Sequence, residues 1–143
     1  MEKKDVMISM TSQAYRDDET DAPIKLVTKG KLYIEENGWS IEYQENIDES
    51  APAQDIIFSV NGNRASMERA GTYATNMVFE KDKRYEGIFN TPYGVMDIAL
   101  FCTKMKAELN SDGGHIHVKY QLDMNGQFVS MHEIQFVIAV ING

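Results

Sequence analysis

The stretch HIHVKYQLDM, residues 115–124, alternates without a break. Ile116, Val118, Tyr120, Leu122 and Met124 fall on one side; His115, His117, Lys119, Gln121 and Asp123 fall on the other. A repeat of two is that of a strand with one buried and one wetted face. Similar runs cover residues 6–15, 24–35, 39–45, 56–60, 63–69, 76–80, 85–89, 95–109 and 128–141. Long helical periodicity is absent. Short, regularly spaced antiparallel strands suit a sandwich or a closed barrel. The reading is all-β: one domain over residues 1–143, an antiparallel β-barrel of about 8–10 strands.

Three Asn-Gly dipeptides, at 37–38, 61–62 and 125–126, mark hairpins, because both residues tolerate positive φ. Two-residue turns on the first two set Ile34 against Ile41, Leu32 against Tyr43, Phe58 against Ala65 and Ile56 against Met67. At Asn125-Gly126 such a turn would oppose Val118 to Glu133 and Ile116 to Gln135. A three-residue loop with a glycine bulge instead pairs Leu122 with Phe128 and Ile116 with Ile134, which keeps apolar faces together. Between runs 85–89 and 95–109, Thr91-Pro92-Tyr93-Gly94 reads as a sheet corner, with Tyr93 packing over the barrel end.

The chain has 143 residues, long enough to bury a core of its own. Its single cysteine, Cys102, forbids an internal disulfide and suits a reducing, cytoplasmic setting. No apolar run approaches the length of a membrane helix, so no membrane partner is expected. A formal charge of −8 argues against nucleic acid. The acidic run YRDDETDAP, 15–23, lacks the glycine-bearing spacing of a calcium loop and reads as a solvated loop.

No metal or cofactor is expected. His115 and His117 share a face while His132, set opposite Val118, lies on the other, so the three do not converge; no neighbouring carboxylate is evident. Cys102, in the apolar run ALFCTK, reads as a buried small hydrophobe. No nucleophile elbow, phosphate loop or dinucleotide fingerprint occurs. The informative polar residues are Glu45, continuing the apolar face of Trp39, Ile41 and Tyr43 across from Gly30, and Arg69, continuing that of Ala65 and Met67 across from Gln54. Inward charges are costly unless paired, so the two are expected to meet inside one rim.

The segments GKLYIEENGWSIEYQEN, SMERAGTYATNMVFEKDKRYEGIFNTPYGVMDIALFCT and IHVKYQLDMNGQFVS carry Tyr43 and Glu45, Arg69 and Gly71, Met77 and Phe79, Thr91 to Gly94, and Tyr120 and Leu122. In this combination, spanning about residues 6–141, the chain resembles the YwiB-like family of small bacterial proteins. The resemblance implies a calycin-like, lipocalin-like barrel and no established activity or catalytic residues.

Two functions compete. A binding module would hold a small, mostly apolar molecule, with Glu45, Arg69, Trp39, Tyr43, Tyr85, Tyr120 and His132 as candidate contacts. A filled barrel acting through its surface on a protein partner is favoured by the bulky inward residues Trp39, Tyr43, Phe58, Phe79, Tyr85 and Tyr120. An enzyme would have to assemble Glu45, His132 and a tyrosine, which nothing in the pattern brings together. Residues 95–102 are apolar on both faces; Met96, Ile98 and Leu100 facing outward would offer a homodimer surface, whereas a bulge would turn Asp97 out instead.

Overall fold

The computed structural model describes residues 2–16, 19–20, 22–45, 53–70, 75–91 and 93–142. The alternating runs become strands β1 (Glu2–Arg16), β3 (Ile24–Glu35), β4 (Gly38–Glu45), β5 (Gln54–Asn61), β6 (Arg64–Ala70), β7 (Thr75–Glu80), β8 (Arg84–Thr91), β9 (Gly94–Asn110), β10 (Gly113–Met124) and β11 (Gln127–Asn142). A two-residue strand β2 (Glu19–Thr20), invisible to any periodicity, adds rungs to the end of β1. From β3 to β11 each strand pairs with its sequence neighbours, and β1 pairs with both β3 and β11, closing an antiparallel barrel. Full closure leaves no long free edge. No helix among the described residues is long and apolar enough to cross a membrane. Parts of the acidic run, residues 47–52 and Pro92 of the predicted corner lie outside the described residues.

All three predicted hairpin registers differ from those observed. Leu32 pairs with Ile41 and Ile34 with Trp39, so the first turn is Glu36-Asn37 and Glu45 is not opposite Gly30. Phe58 pairs with Met67 and Ile56 with Arg69, so the second is Gly62-Asn63 and Arg69 is not opposite Gln54. Both slips are of two residues, which changes partners but keeps faces. At the third hairpin Met124 pairs with Gln127 across Asn125-Gly126, whose φ values of 49° and 82° suit a two-residue primed turn. A bulge then skips Val129, so Ile116 meets Phe136 and His132 meets Tyr120 rather than Val118. One extra residue restores the phase that the tight turn would have broken.

The same device settles the run at residues 95–102. The β9–β10 register shifts at Thr103, so Ile98, Leu100 and Cys102 face inward before it and Met105, Ala107 and Leu109 after it. Ile98 and Leu100 are 3% and 1% exposed, core residues that cannot form the expected homodimer stripe; Val95 and Phe101 face outward instead. Tyr93 is fully exposed and does not cover the barrel end.

The middle of the barrel is filled. Phe58, Phe79, Ile8, Leu32, Ile56 and Val118 are each completely buried. A chain of rings crosses the interior, Tyr43 to Phe136 at 6.0 Å, Phe136 to Phe58 at 5.1 Å, Phe58 to Phe79 at 6.1 Å and Phe79 to Tyr120 at 5.1 Å. Such tilted and offset contacts suit the ring quadrupole. One place in the wall is thin: among the described residues β7 and β8 share the single rung Thr75–Phe89, although only Lys81 to Lys83 joins them. The loop leans away onto β9, with Asp82 N donating to Cys102 O and Cys102 N to Lys83 O.

Candidate functional site

The inward faces of β4 and β6 end in charge. Along β4 the sequence Trp39, Ile41, Tyr43, Glu45 points inward, and along β6 Ala65, Met67, Arg69 does the same. Because β5 lies between them, Glu45 and Arg69 reach toward each other over its end. Arg69 Nη2 donates to Glu45 Oε1 at 3.4 Å, and the two side chains are 17% and 19% exposed. The pairing expected from the alternation is present. It is a single long contact, however, and Arg69 Nε is buried without an acceptor among the described residues.

The pair stands at one end of a cavity of about 320 Å³. Met10, Leu26, Tyr43, Met67, Ile134 and Phe136 supply its mostly apolar wall, and Ser12 and Lys25 complete the polar part of the lining. Only Tyr43, Glu45 and Arg69 of this lining were among the sequence candidates. Met67 shares the inward face of β6 with Arg69; the rest comes from β1, β3 and β11, and no single-strand pattern announces it. Burial pushes the Tyr43 phenol well above its ordinary value; Glu45 adds to the effect and Arg69 opposes it. The phenol is therefore a neutral hydroxyl beside the ion pair.

The other candidates disperse. Tyr120 is buried, its phenol pushed up to about 12 by desolvation with Arg69 opposing. Its ring stacks on His132, centroids 5.1 Å apart and planes 10° from parallel. His132 Nε2 and Ser130 Oγ are hydrogen-bonded at 2.6 Å, and Ser130 is completely buried. Neither Tyr120 nor His132 lines the cavity. Trp39 lies six positions from Glu45, about 20 Å along the strand, and lines a separate cleft with Val60, Ala107 and Leu109. Tyr85 lies outside the cavity, against Gly87, where an added Cβ would come within 2.9 Å of its ring.

A second hollow opens where β7 and β8 part. Arg69, Thr75, Asn76, Tyr85, Ile88 and Asn90 border it, together with Glu68. Arg69 is thus common to the end cavity and the hollow at the seam. Nothing in the sequence marked this opening, since β7 and β8 look like an ordinary hairpin.

The outward histidines are less isolated than expected. His117 bonds Glu133, and His115 lies 3.8 Å from Glu108, so each has a carboxylate on a neighbouring strand. Glu133 also accepts from Tyr15 at 3.1 Å and lies 3.7 Å from Lys119. Burial would raise its carboxyl, but the bonds from His117 and Tyr15, with Lys119 nearby, hold it below the ordinary range. Among the described residues no three histidine, cysteine or carboxylate groups gather for a metal ion. Cys102 is buried, donates to Lys104 O at 3.3 Å, and has its thiol pushed up by desolvation, the state of an unreactive core residue.

Comparison with known proteins gives one family and one fold. The model of a family described as "Domain of unknown function (DUF1934)" matches residues 8–136. The crystal structure of ywiB protein from Bacillus subtilis is similar over 98% of this chain and 94% of that one, with a TM-score of 0.84 and 16% sequence identity. No curated protein matches the sequence.

Proposed function

The chain belongs to the DUF1934 family, and from that premise we propose a binding protein that holds one small, largely apolar molecule at the open end of its barrel. One observation carries the reading: a cavity of about 320 Å³ walled by core side chains and ending in the Glu45–Arg69 pair. Apolar walls with a few placed polar groups are the usual build of a small-molecule site, and the volume lies near the lower end of the roughly 300–1,000 Å³ such sites span. The calycin-like class implied by the sequence resemblance accords with a barrel open at one end. A cytoplasmic setting is part of the proposal, resting on the single buried cysteine.

The filled middle of the barrel favours a second reading, a structural barrel that works through its outer surface on a protein partner. Native mass spectrometry of protein purified from its own cells, beside denaturing extraction, separates the two. A small mass retained natively and released on denaturation supports the binding protein. A clean unliganded mass, with a second protein retained, supports the partner reading.

A further inference from the structure

We infer that the end cavity selects a small organic monoanion, with the anionic head on Arg69 and the apolar body on Met10, Leu26, Met67, Ile134 and Phe136. The inference rests on the binding reading above and adds the chemistry of the ligand. A guanidinium offers five N–H donors. Here Glu45 engages one of its nitrogens, at 3.4 Å, while Nε is buried without an acceptor among the described residues. A buried donor left unmade costs more than an average hydrogen bond contributes. Nε itself is closed to a ligand, so a carboxylate would meet the part of the guanidinium that lines the cavity and gain a charge-assisted bond in a poorly hydrated place.

Position favours the same head group. Of the two cations lining the cavity Arg69 is the more buried, Lys25 being exposed, and Arg69 also borders the hollow at the β7–β8 seam. Thr75, Asn76 and Asn90 border that hollow with neutral polar groups and bring no further negative charge to Arg69. The opposing charges are Glu45 and, on the seam side, the exposed Glu68. Glu45 weakens anion binding without cancelling it, because its own contact with Arg69 is long and single. The phenols of Tyr43 and Tyr120 stay neutral and add no further negative charge.

The test uses three probes of one chain length, octanoate, octylamine and octanol, titrated calorimetrically into the full chain. Octanoate is expected to bind about tenfold or more tighter than either relative, the yield of one good charge-assisted contact. Arg69→Gln is expected to erase that preference while octanol still binds, and Glu45→Gln to tighten octanoate several-fold. Circular dichroism checks that each variant is folded; if Arg69→Gln is not, Glu45→Gln decides. Octylamine binding best, no preference among heads, an octanoate advantage that survives Arg69→Gln, or Glu45→Gln leaving octanoate no tighter each overturns the anion inference. In those cases the binding reading stands. None of the three binding to folded protein overturns both.

Discussion

Arg69 sits where the stability of the barrel and the proposed recognition meet. With both partners more than four-fifths buried, removing the cation strands Glu45 in an apolar wall. Arg69→Leu should cost about 1–3 kcal/mol in urea unfolding, the usual penalty for an orphaned buried polar group. Arg69→Leu combined with Glu45→Leu should recover most of the loss, because two apolar side chains need no partner there. If the double variant is as unstable as the sum of the singles, the pair is not coupled. The tyrosines allow a prediction about alkali. Burial raises the phenols of Tyr43 and Tyr120, the second to about 12 from 10.0. A folded-state value above the unfolded one means stability is intact below pH 10 and falls as pH rises past it. Two of the seven tyrosines should therefore ionise only with unfolding, seen as a cooperative late step in tyrosinate absorbance. Glu133 has the opposite sign. Its carboxyl lies below the ordinary 4.5, so its contribution is present above that pH and is lost as pH falls through the folded value. Glu133→Gln should destabilise at neutral pH, and its deficit against the parent should shrink on acidification. A deficit independent of pH would contradict the His117–Glu133–Tyr15 clip.

Among the elements, alternation alone located all ten barrel strands, and because every register error was of an even number of residues or corrected by a bulge, it also located most inward side chains. It did not locate the turns. Asn-Gly looks the same whether it forms the two-residue turn itself, as at 125–126, or only overlaps it, as at Asn37-Gly38 and Asn61-Gly62. Nor does alternation see a bulge. The extra residue at Thr103 exchanges which half of an apolar run faces in, and that exchange made Ile98 and Leu100 look like surface. The Glu45–Arg69 pair was legible because each continues an apolar face, whereas the cavity wall draws on β1, β3 and β11 and depends on closure. The β7–β8 seam was illegible for a further reason: pairing is a property of two strands, and the sequence of each is ordinary. With one rung between them among the described residues, the backbone groups of 76–80 and 84–88 facing across the seam lack the ladder that protects β9 and β10. Peptides covering 76–80 and 84–89 should exchange amide hydrogens markedly faster than one covering 115–122, by mass spectrometry. Equal protection would mean the seam closes in solution.

For the whole molecule, closure by β1 and β11 joins residues more than a hundred positions apart through eleven rungs, Asp5–Asn142 to Tyr15–Met131. Non-local pairing of this kind must meet its loop-closure entropy before its contacts repay it, which slows folding. A meandering barrel has one such closure wherever its chain is cut, and a circular permutation only chooses which pair of strands it falls on. Joining the ends by a short linker makes β1–β11 a local hairpin, since Asp5 and Asn142 are already opposite each other. If the new ends are made at Gly62-Asn63, the seven rungs between β5 and β6 become the long-range closure. If they are made between Lys81 and Asp82, that role falls to the seam and its single rung, while the Asp82–Cys102 bond is kept. The seam permutant should therefore refold faster than the parent and lose less stability than the Gly62-Asn63 permutant, in stopped-flow and urea experiments on the same chains. The reverse order would mean that the barrel depends on β7–β8 packing more than its hydrogen-bond ladder indicates. The seam would then be a rigid part of the wall, and Arg69 would be reached through the mouth alone.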